Sequence, residues 1–514
     1  MMKLINKKLF LRVAAVPLIL SSALVFAQSN PTTPEQRLVK LSKARYGSKE
    51  LIARLEMSIP QLMKDGDVPG LSIAIIEDAR VVWQRSFGVA NAATGQPVKD
   101  DTVFEAASLS KPVFAYAVLK LVERGKLDLD TPLAKYLPQP YVENDERANR
   151  ITARMVLSHT TGFPNWSFNQ PLRTQFNPGE RFSYSGEGFV YLQRVVEHLT
   201  GQPLEALMRK EVFAPLGMSG SSYVWMDKYE TLKATGHDPN GAAKPLRKNP
   251  AANAAGSLHT TTADYAKFVI AILKKKGLKK ETFKHMLGQQ TRVDEGCSNC
   301  VANEPTGKFS NSIFWGLGWG LQRTADGDSF WHWGDNNNDT HAFVIASEKQ
   351  KTGLLIFTDS GNGHSIMPEI VSQVMGGQRQ PLTAWINYEP YNSQFRSLLR
   401  AILSEGIDAP LARYVAERAQ AGRRLSERQI NQLGYALLGR RKTAEAIKVF
   451  QLNIEDYPDS ANTYDSLAET YLGIGEKELA LKFYKKALAV NPNYPNAKAA
   501  AEVLKKIEAE SQPD

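Results

Sequence analysis

The sequence predicts a mixed α/β domain followed by an all-helical repeat domain. Three observations predict it. Strand-like runs stand before a helical middle, in 68–77 and 81–88, and return after it between Ile313 and Thr358. The composition then shifts toward Gly, Gln, Pro and Asn across 376–391, as in a linker. Beyond Asn392, Leu438-Gly439 recurs as Leu472-Gly473, Ala446 as Ala480, Phe450 as Tyr484 and Pro458 as Pro492, each 34 residues on. Strands on either side of a helical middle imply an α+β or α/β arrangement. A fixed 34-residue period implies stacked helix pairs.

At 514 residues the chain exceeds one ordinary domain of about 150 residues. Its 43% hydrophobic and 23% charged content is that of a soluble globular protein. The first residues read as a secretory leader. Lys3, Lys7, Lys8 and Arg12 precede an apolar run from Val13 to Phe26, and Val25 and Ala27 suit a cleavage site. The run is short for a membrane span, which needs about 20 residues. A signal peptide over 1–27, cleavage near Ala27 and a periplasmic or secreted product are therefore expected, with no stable membrane span. The leader's four basic residues account for four of the net +10, leaving +6. That mild excess, without a basic stripe, argues against nucleic acid as a partner.

In chain order, 51–63 predicts an amphipathic helix, and 68–77 and 81–88 a hairpin joined through Asp78-Ala-Arg80. An extended Thr102-Val-Phe104 leads into a helix starting near Ser108, with Val113, Phe114, Ala117, Val118, Leu121 and Val122 at helical spacing and Gly125 as its cap. Short helices are expected at 151–157 and 190–199. A longer one runs to Leu273, with Thr261 and Asp264 spaced as a capping box. Polar residues 288–312 read as a surface insertion. They carry Cys297 and Cys300, which in an exported chain suggest a local disulfide. A redox pair would need a βαβ context that is missing here, and two thiols alone make no structural zinc site. Four strands are expected at 315–322, 329–334, 341–347 and 352–358, completing the sheet begun near residue 71. A last helix follows near 368–375. These boundaries give an α/β domain at 40–375, a linker at 376–391 and a helical domain at 392–514. The 34-residue period is that of tetratricopeptide arrays. Two units are visible, the first starting near Ser426. Helices at 393–403, 410–421 and 497–509 would supply the caps that so short an array needs.

Three short motifs carry chemistry. Ser108-Leu-Ser-Lys111 puts a hydroxyl and an ammonium one helical turn apart, suited to an activated nucleophile. Alone, such a spacing is usually a solvated helix turn. Tyr184-Ser-Gly186 sits in a small-residue loop before a helix. A lysine beside that tyrosine would favour its phenolate, making it a general base. His332-Trp-Gly334 lies on a strand, where glycine lets a substrate approach the edge. The amides of Asp335 and Ser108 are candidate oxyanion donors. Asp335-Asn-Asn-Asn-Asp339 does not follow an EF-hand pattern and reads as a polar loop. His159, His259 and His341 have no metal spacing, and His159 is expected to bond nearby backbone. No Gly-x-Ser-x-Gly occurs.

Taken together, these motifs resemble the serine β-lactamase-like family of class C β-lactamases, DD-peptidases and related esterases. Val68-Pro-Gly70, Ser108-x-x-Lys111, His159-Thr-Thr-Gly162, Pro178-Gly-Glu-Arg-Phe-Ser-Tyr184 and His332-x-Gly334 all match in order. The resemblance implies an α/β sandwich, an antiparallel sheet flanked by helices, with the serine at its seam with a helical subdomain. It implies acylation of Ser108, proton handling by Lys111 and Tyr184, and substrate contacts at His332, Gly334 and Asp335. Two departures stand out. Gly186 replaces the asparagine of the usual Tyr-x-Asn, and His332 replaces a lysine usual in β-lactamases. Both point away from an efficient β-lactamase, and an Asp335 carboxylate facing the cleft would further disfavour anions. The expected activity is an exported serine hydrolase, esterase-like or peptidase-like, on a small-molecule or peptide substrate, needing no metal or organic cofactor. The alternatives are a β-lactamase or DD-carboxypeptidase acting on cell-wall peptides, and a non-enzymatic adaptor that binds cell-wall fragments. The repeat tail would bind a protein partner or a second copy of the chain, or brace the catalytic domain.

Overall fold

The computed structural model describes residues 48–168, 170–293, 307–336, 339–375, 380–420 and 423–510. The leader and the Cys297/Cys300 pair lie outside these residues. Eleven strands are described: β1 (Gly70–Glu77), β2 (Arg80–Asn91), β3 (Gln96–Pro97), β4 (Phe104–Ala107), β5 (Leu258–Thr260), β6 (Thr291–Arg292), β7 (Ile313–Trp315), β8 (Gly320–Thr324), β9 (Gly327–Asn336), β10 (Thr340–Ser347) and β11 (Thr352–Thr358). Nine of them form one antiparallel sheet in the order β3-β2-β1-β11-β10-β9-β8-β7-β6. β1 pairs with β11 in the register Leu71↔Thr358 to Ile76↔Gly353, so the first hairpin joins the last strand. β4 and β5 form a separate two-stranded piece.

The main helices of the catalytic part are α1 (Lys49–Asp65), α2 (Ser110–Glu123), α3 (Ala153–Leu157), α4 (Gly186–Thr200), α5 (Thr262–Leu273), α6 (Lys280–Met286), α7 (Gly363–Met375) and α8 (Pro381–Ile386). They cover both faces of the sheet. Leu71, Ile73, Ile75, Trp331, Trp333, Phe343 and Ile356 pack on α1, α7 and α8. Ala74, Ile76, Phe330, Ala342, Val344 and Phe357 face the core shared with α2, α4 and α5. A strand covered on both sides has no polar face, which is why β1 reads as a continuous apolar run. The expected sandwich is thus present, with a helical region between β5 and the turn that carries Ser108.

Four local expectations are corrected. The strand predicted at 315–322 is a hairpin. Gly316 N donates to Trp319 O at 2.8 Å, and Gly318 has φ +85°. A Cβ there would sit 2.4 Å from Ala115 Cβ, so the turn is pressed onto α2. Thr261 caps α5 by accepting from Asp264 N, but the reciprocal half of the capping box is missing. The Asp264 carboxylate instead accepts from Gly220 N at 2.7 Å and Ser221 Oγ at 3.1 Å. The helix expected from Ser108 starts two residues later, at Ser110. The described part of the 376–391 linker is a packed segment. Trp385 is fully buried, its ring 5.4–6.1 Å from those of Trp315, Trp331, Trp333 and Phe182. Burying a side chain of that size stabilises by on the order of 2–3 kcal/mol. The segment therefore packs into the core that α1 and α7 form with the sheet.

The C-terminal part is helical: α9 (Gln394–Glu405), α10 (Asp408–Glu417), α11 (Glu427–Gly439), α12 (Thr443–Asp456), α13 (Ala461–Gly473), α14 (Lys477–Val490) and α15 (Ala497–Glu510). α13 and α14 begin 34 residues after α11 and α12. Gly434 explains one close approach, since a Cβ there would meet the Phe450 ring at 2.4 Å. The tail touches the catalytic part through arginines. Arg400 donates to Asp65 O at 2.6 Å, Arg396 to Asn362 Oδ1 at 2.9 Å, and Arg440 to Asn240.

Candidate active site

Ser108 lies on a tight turn between β4 and α2. Ala107 adopts φ +47°, a conformation that costs a non-glycine residue roughly 1–3 kcal/mol. The surroundings hold it there. Leu109 N donates to Ala106 O at 3.0 Å, and Ser110 Oγ donates to Ala107 O. Tyr223 and Tyr265 hydroxyls donate to Ser110 O and Leu109 O at 2.6 and 3.0 Å. Ser108 itself is part-exposed, while its neighbours are buried.

Lys111 stands in the first turn of α2, entirely buried. Its Nζ is 3.0 Å from Ser108 Oγ and 2.7 Å from the Ala255 carbonyl. Burial alone pulls its pKa down to about 7. A neutral amine at that distance can accept the hydroxyl proton. Nζ also lies 4.8 Å from the centre of the Tyr184 ring and 5.7 Å from that of Phe189.

Tyr184 comes just before α4, whose N-cap Ser185 accepts from Gly188 N. Its hydroxyl is buried and makes no hydrogen bond to any described residue. The expected phenolate is not found. Burial pushes the phenol up, and the nearby Ser108 hydroxyl pulls only weakly the other way. Desolvation penalises the phenolate more than the Ser108 hydroxyl favours it, so the protonated phenol is the favoured form. His159 stacks on it at 4.2 Å and accepts from Ser185 N at 3.0 Å through Nδ1, the backbone role expected for it.

On β9, His332 is fully buried, and its Nδ1 lies 2.8 Å from Trp333 O, which places the ring proton there. Burial, and then Lys111, lower its pKa to about 3, so it is neutral. Its Nε2 has no partner among the described residues. β8 pairs with β9 only as far as Gly320↔Trp331, so the β8 ladder stops one residue short of His332. Gly334 serves a different purpose from the one expected. A Cβ there would meet Ala106 O at 2.4 Å and Ala107 Cβ at 3.1 Å. Its bareness seats the Ala106–Ser108 turn against the strand. Asp335 is also corrected. Its carboxylate accepts from Tyr388 at 2.7 Å and lies 3.5 Å from His341 Nε2, on the face packed by the linker segment. Side chains alternate along β9, and that places Asp335 on the Trp333 side, away from Ser108. His364 completes this cluster, stacked on His341 at 4.0 Å with Nε2 2.9 Å from Gly334 O. Asp339 pairs with Arg247 at 2.7 Å, so its carboxylate is already engaged by a cationic side chain.

Ser108, Lys111, Tyr184 and His332 therefore converge, while Gly334 and Asp335 support them from behind. Sequence reasoning missed Ala255, whose carbonyl anchors Lys111, and the clamp of Ser110, Tyr223 and Tyr265. No spacing rule announces contacts made across more than 100 residues of chain. Among the described residues, no group of three or more His, Cys, Asp or Glu could hold a metal, and no helix is long and apolar enough to cross a membrane.

A serine–lysine pair at the seam between an antiparallel sheet and a helical region is the arrangement of the β-lactamase-like serine hydrolases. The family described as Beta-lactamase matches residues 55–369, more than half of the chain, and the chain belongs to that family. Esterase EstB of Burkholderia gladioli is 30% identical over 228 residues, which cover 38% of this chain and 57% of the esterase. A beta-lactamase of Pseudomonas fluorescens is 27% identical over 281 residues, 52% of this chain and 73% of that protein. Two solved structures share the fold. The octameric penicillin-binding protein homologue from Pyrococcus abyssi has a TM-score of 0.55 at 22% identity, covering 68% of this chain and 82% of that one. The D-alanine carboxypeptidase AmpC from Burkholderia cenocepacia has a TM-score of 0.54 at 18% identity, covering 64% and 99%.

Proposed function

We propose that the protein is an exported serine hydrolase that cleaves an uncharged ester or amide through an acyl-enzyme on Ser108. The observation that carries this reading is the 3.0 Å contact between Ser108 Oγ and a buried Lys111 amine with a pKa of about 7. Such an amine is a competent base near neutral pH. It takes the hydroxyl proton as Oγ bonds to the substrate carbonyl carbon. Collapse of the tetrahedral adduct breaks the bond to the leaving alkoxide or amine. That group takes a proton from Lys111, directly or relayed through the Tyr184 hydroxyl. Water then adds to the acyl-serine and gives its proton to Lys111. The second collapse returns a proton to Ser108 and frees the carboxylic acid.

The preference for an uncharged substrate rests on His332, whose pKa is lowered to about 3 so that it is neutral near pH 7, and on the absence of the asparagine side chain at Gly186. The similarity to an esterase supports it. Export through a leader at 1–27 is part of the same proposal, as is a tetratricopeptide-like role for α11–α14 in binding a protein partner or a second copy. The test is a matched panel on the purified protein and Ser108→Ala: a chromogenic short-chain ester, a chromogenic cephalosporin and a D-Ala-D-Ala peptide. Ester hydrolysis lost in Ser108→Ala supports the reading. Fast cephalosporin hydrolysis with little esterase activity would replace it with the β-lactamase reading.

A further inference from the structure

Gly186 is bare because an indole ring occupies the space its side chain would need. An ideal Cβ on Gly186 would lie 2.7 Å from both Cη2 and Cζ2 of Trp166. The loop that carries Trp166 is fixed to the start of α4 on either side of it. Asn165 O accepts from Gly186 N and Glu187 N at 3.0 and 3.1 Å. Ser167 donates to Glu187 Oε1 through N and Oγ at 2.8 and 2.6 Å. Two consequences follow. The first amides of α4, which would otherwise attract an anion, are taken by Asn165. The indole is 37% exposed although the loop around it is held, and Phe168, two residues on, is 86% exposed. Gly186 stands two residues from Tyr184 and the Trp166 ring lies against it, so an apolar surface borders the loop that carries the tyrosine.

We infer that Trp166 is a specificity-determining residue, and that the acyl group of the substrate is apolar, a medium-length chain or an aromatic ring packed on the indole. The inference rests on the acyl-serine reading given above. An indole and a glycine here replace a polar side chain with a surface that gains free energy only by covering hydrocarbon. Each methylene covered adds severalfold to the transition-state preference when fully buried, and less against a ring open on one side.

The experiment compares kcat/KM for p-nitrophenyl octanoate and p-nitrophenyl acetate in the full chain, in Trp166→Ala and in Trp166→Phe. The octanoate-to-acetate ratio is expected to fall about tenfold in Trp166→Ala and to recover most of that in Trp166→Phe, with melting temperatures unchanged. A ratio in Trp166→Ala within twofold of wild type overturns the inference while leaving the acyl-serine reading intact. A wild-type protein that hydrolyses neither ester and takes no fluorophosphonate label at Ser108 overturns both.

Discussion

Replacing Lys111 with methionine keeps the buried stem and removes the amine that the proposed mechanism uses as its base. The size of the effect follows from burial. At its ordinary value of 10.5, a lysine at pH 7 is neutral in roughly one molecule in three thousand. At about 7 it is neutral in half of them. Burial thus raises the population of competent base by about a thousandfold. No neighbour replaces it. The Tyr184 phenol is pushed up by burial, and His332, at about 3, is a poor base. Lys111→Met should lower kcat/KM for a chromogenic ester at pH 7 by about 10³. In the wild type, log kcat/KM should rise with unit slope below about pH 7 and level above it, because activity needs the neutral amine. Stability gives an independent check. The unfolded lysine keeps its proton up to 10.5, whereas the folded one loses it near 7. Wild-type stability should therefore rise with pH across that window, and the Lys111 contribution to that slope should vanish in Lys111→Met. A variant within tenfold of wild type, or one that keeps the acid limb near pH 7, would refute Lys111 as the base.

Three further outcomes are expected. Gly334→Ala drives a methyl into Ala106 O, 2.4 Å away, and should lower stability by about 1–3 kcal/mol in denaturant titration while reducing kcat, since the displaced turn carries Ser108. Tyr388→Phe leaves the Asp335 carboxylate short of one donor and should cost about 1–3 kcal/mol of stability by the same titration. Asp359→Asn addresses a carboxyl that burial pushes well above its ordinary value. Its Oδ1 accepts from Gly70 N at 2.8 Å, and His237 Nδ1 lies 3.7 Å from its Oδ2. The folded state therefore holds a proton that the unfolded state releases above about 3.8, and wild-type stability falls as pH rises from there. Urea midpoints measured from pH 4 to 8 should show that decline in the wild type and a shallower one in Asp359→Asn.

Much of the fold was legible because local signals agreed with it. The hairpin at Asp78-Ala79 has positive φ at both turn residues, and the 34-residue spacing reappears in the helix starts. The contact between Ser108 and Lys111 was legible because the two share one turn of chain. What escaped depended on burial or on distant chain. The protonation of Tyr184 could not be read from a neighbouring lysine in the motif, because burial, which sequence does not report, pushes the phenol up. Gly334 looked like a substrate-facing glycine, because the Ala106–Ala107 turn that needs its bareness lies more than 200 residues away. The 380–391 stretch looked like a linker by composition, yet Trp385 and Tyr388 make it part of the core and of the layer behind β9. Gly186 was legible only as a missing asparagine; the ring that excludes any side chain there comes from another loop.

The central claim is that Ser108 attacks the substrate. It is tested most directly by intact-protein and peptide mass spectrometry after treatment with a fluorophosphonate and, separately, during turnover of a slow chromogenic ester. One adduct per chain, mapped to Ser108 and absent in Ser108→Ala, is predicted. Hydrolysis that persists in Ser108→Ala, or an adduct mapped to another residue, would contradict it.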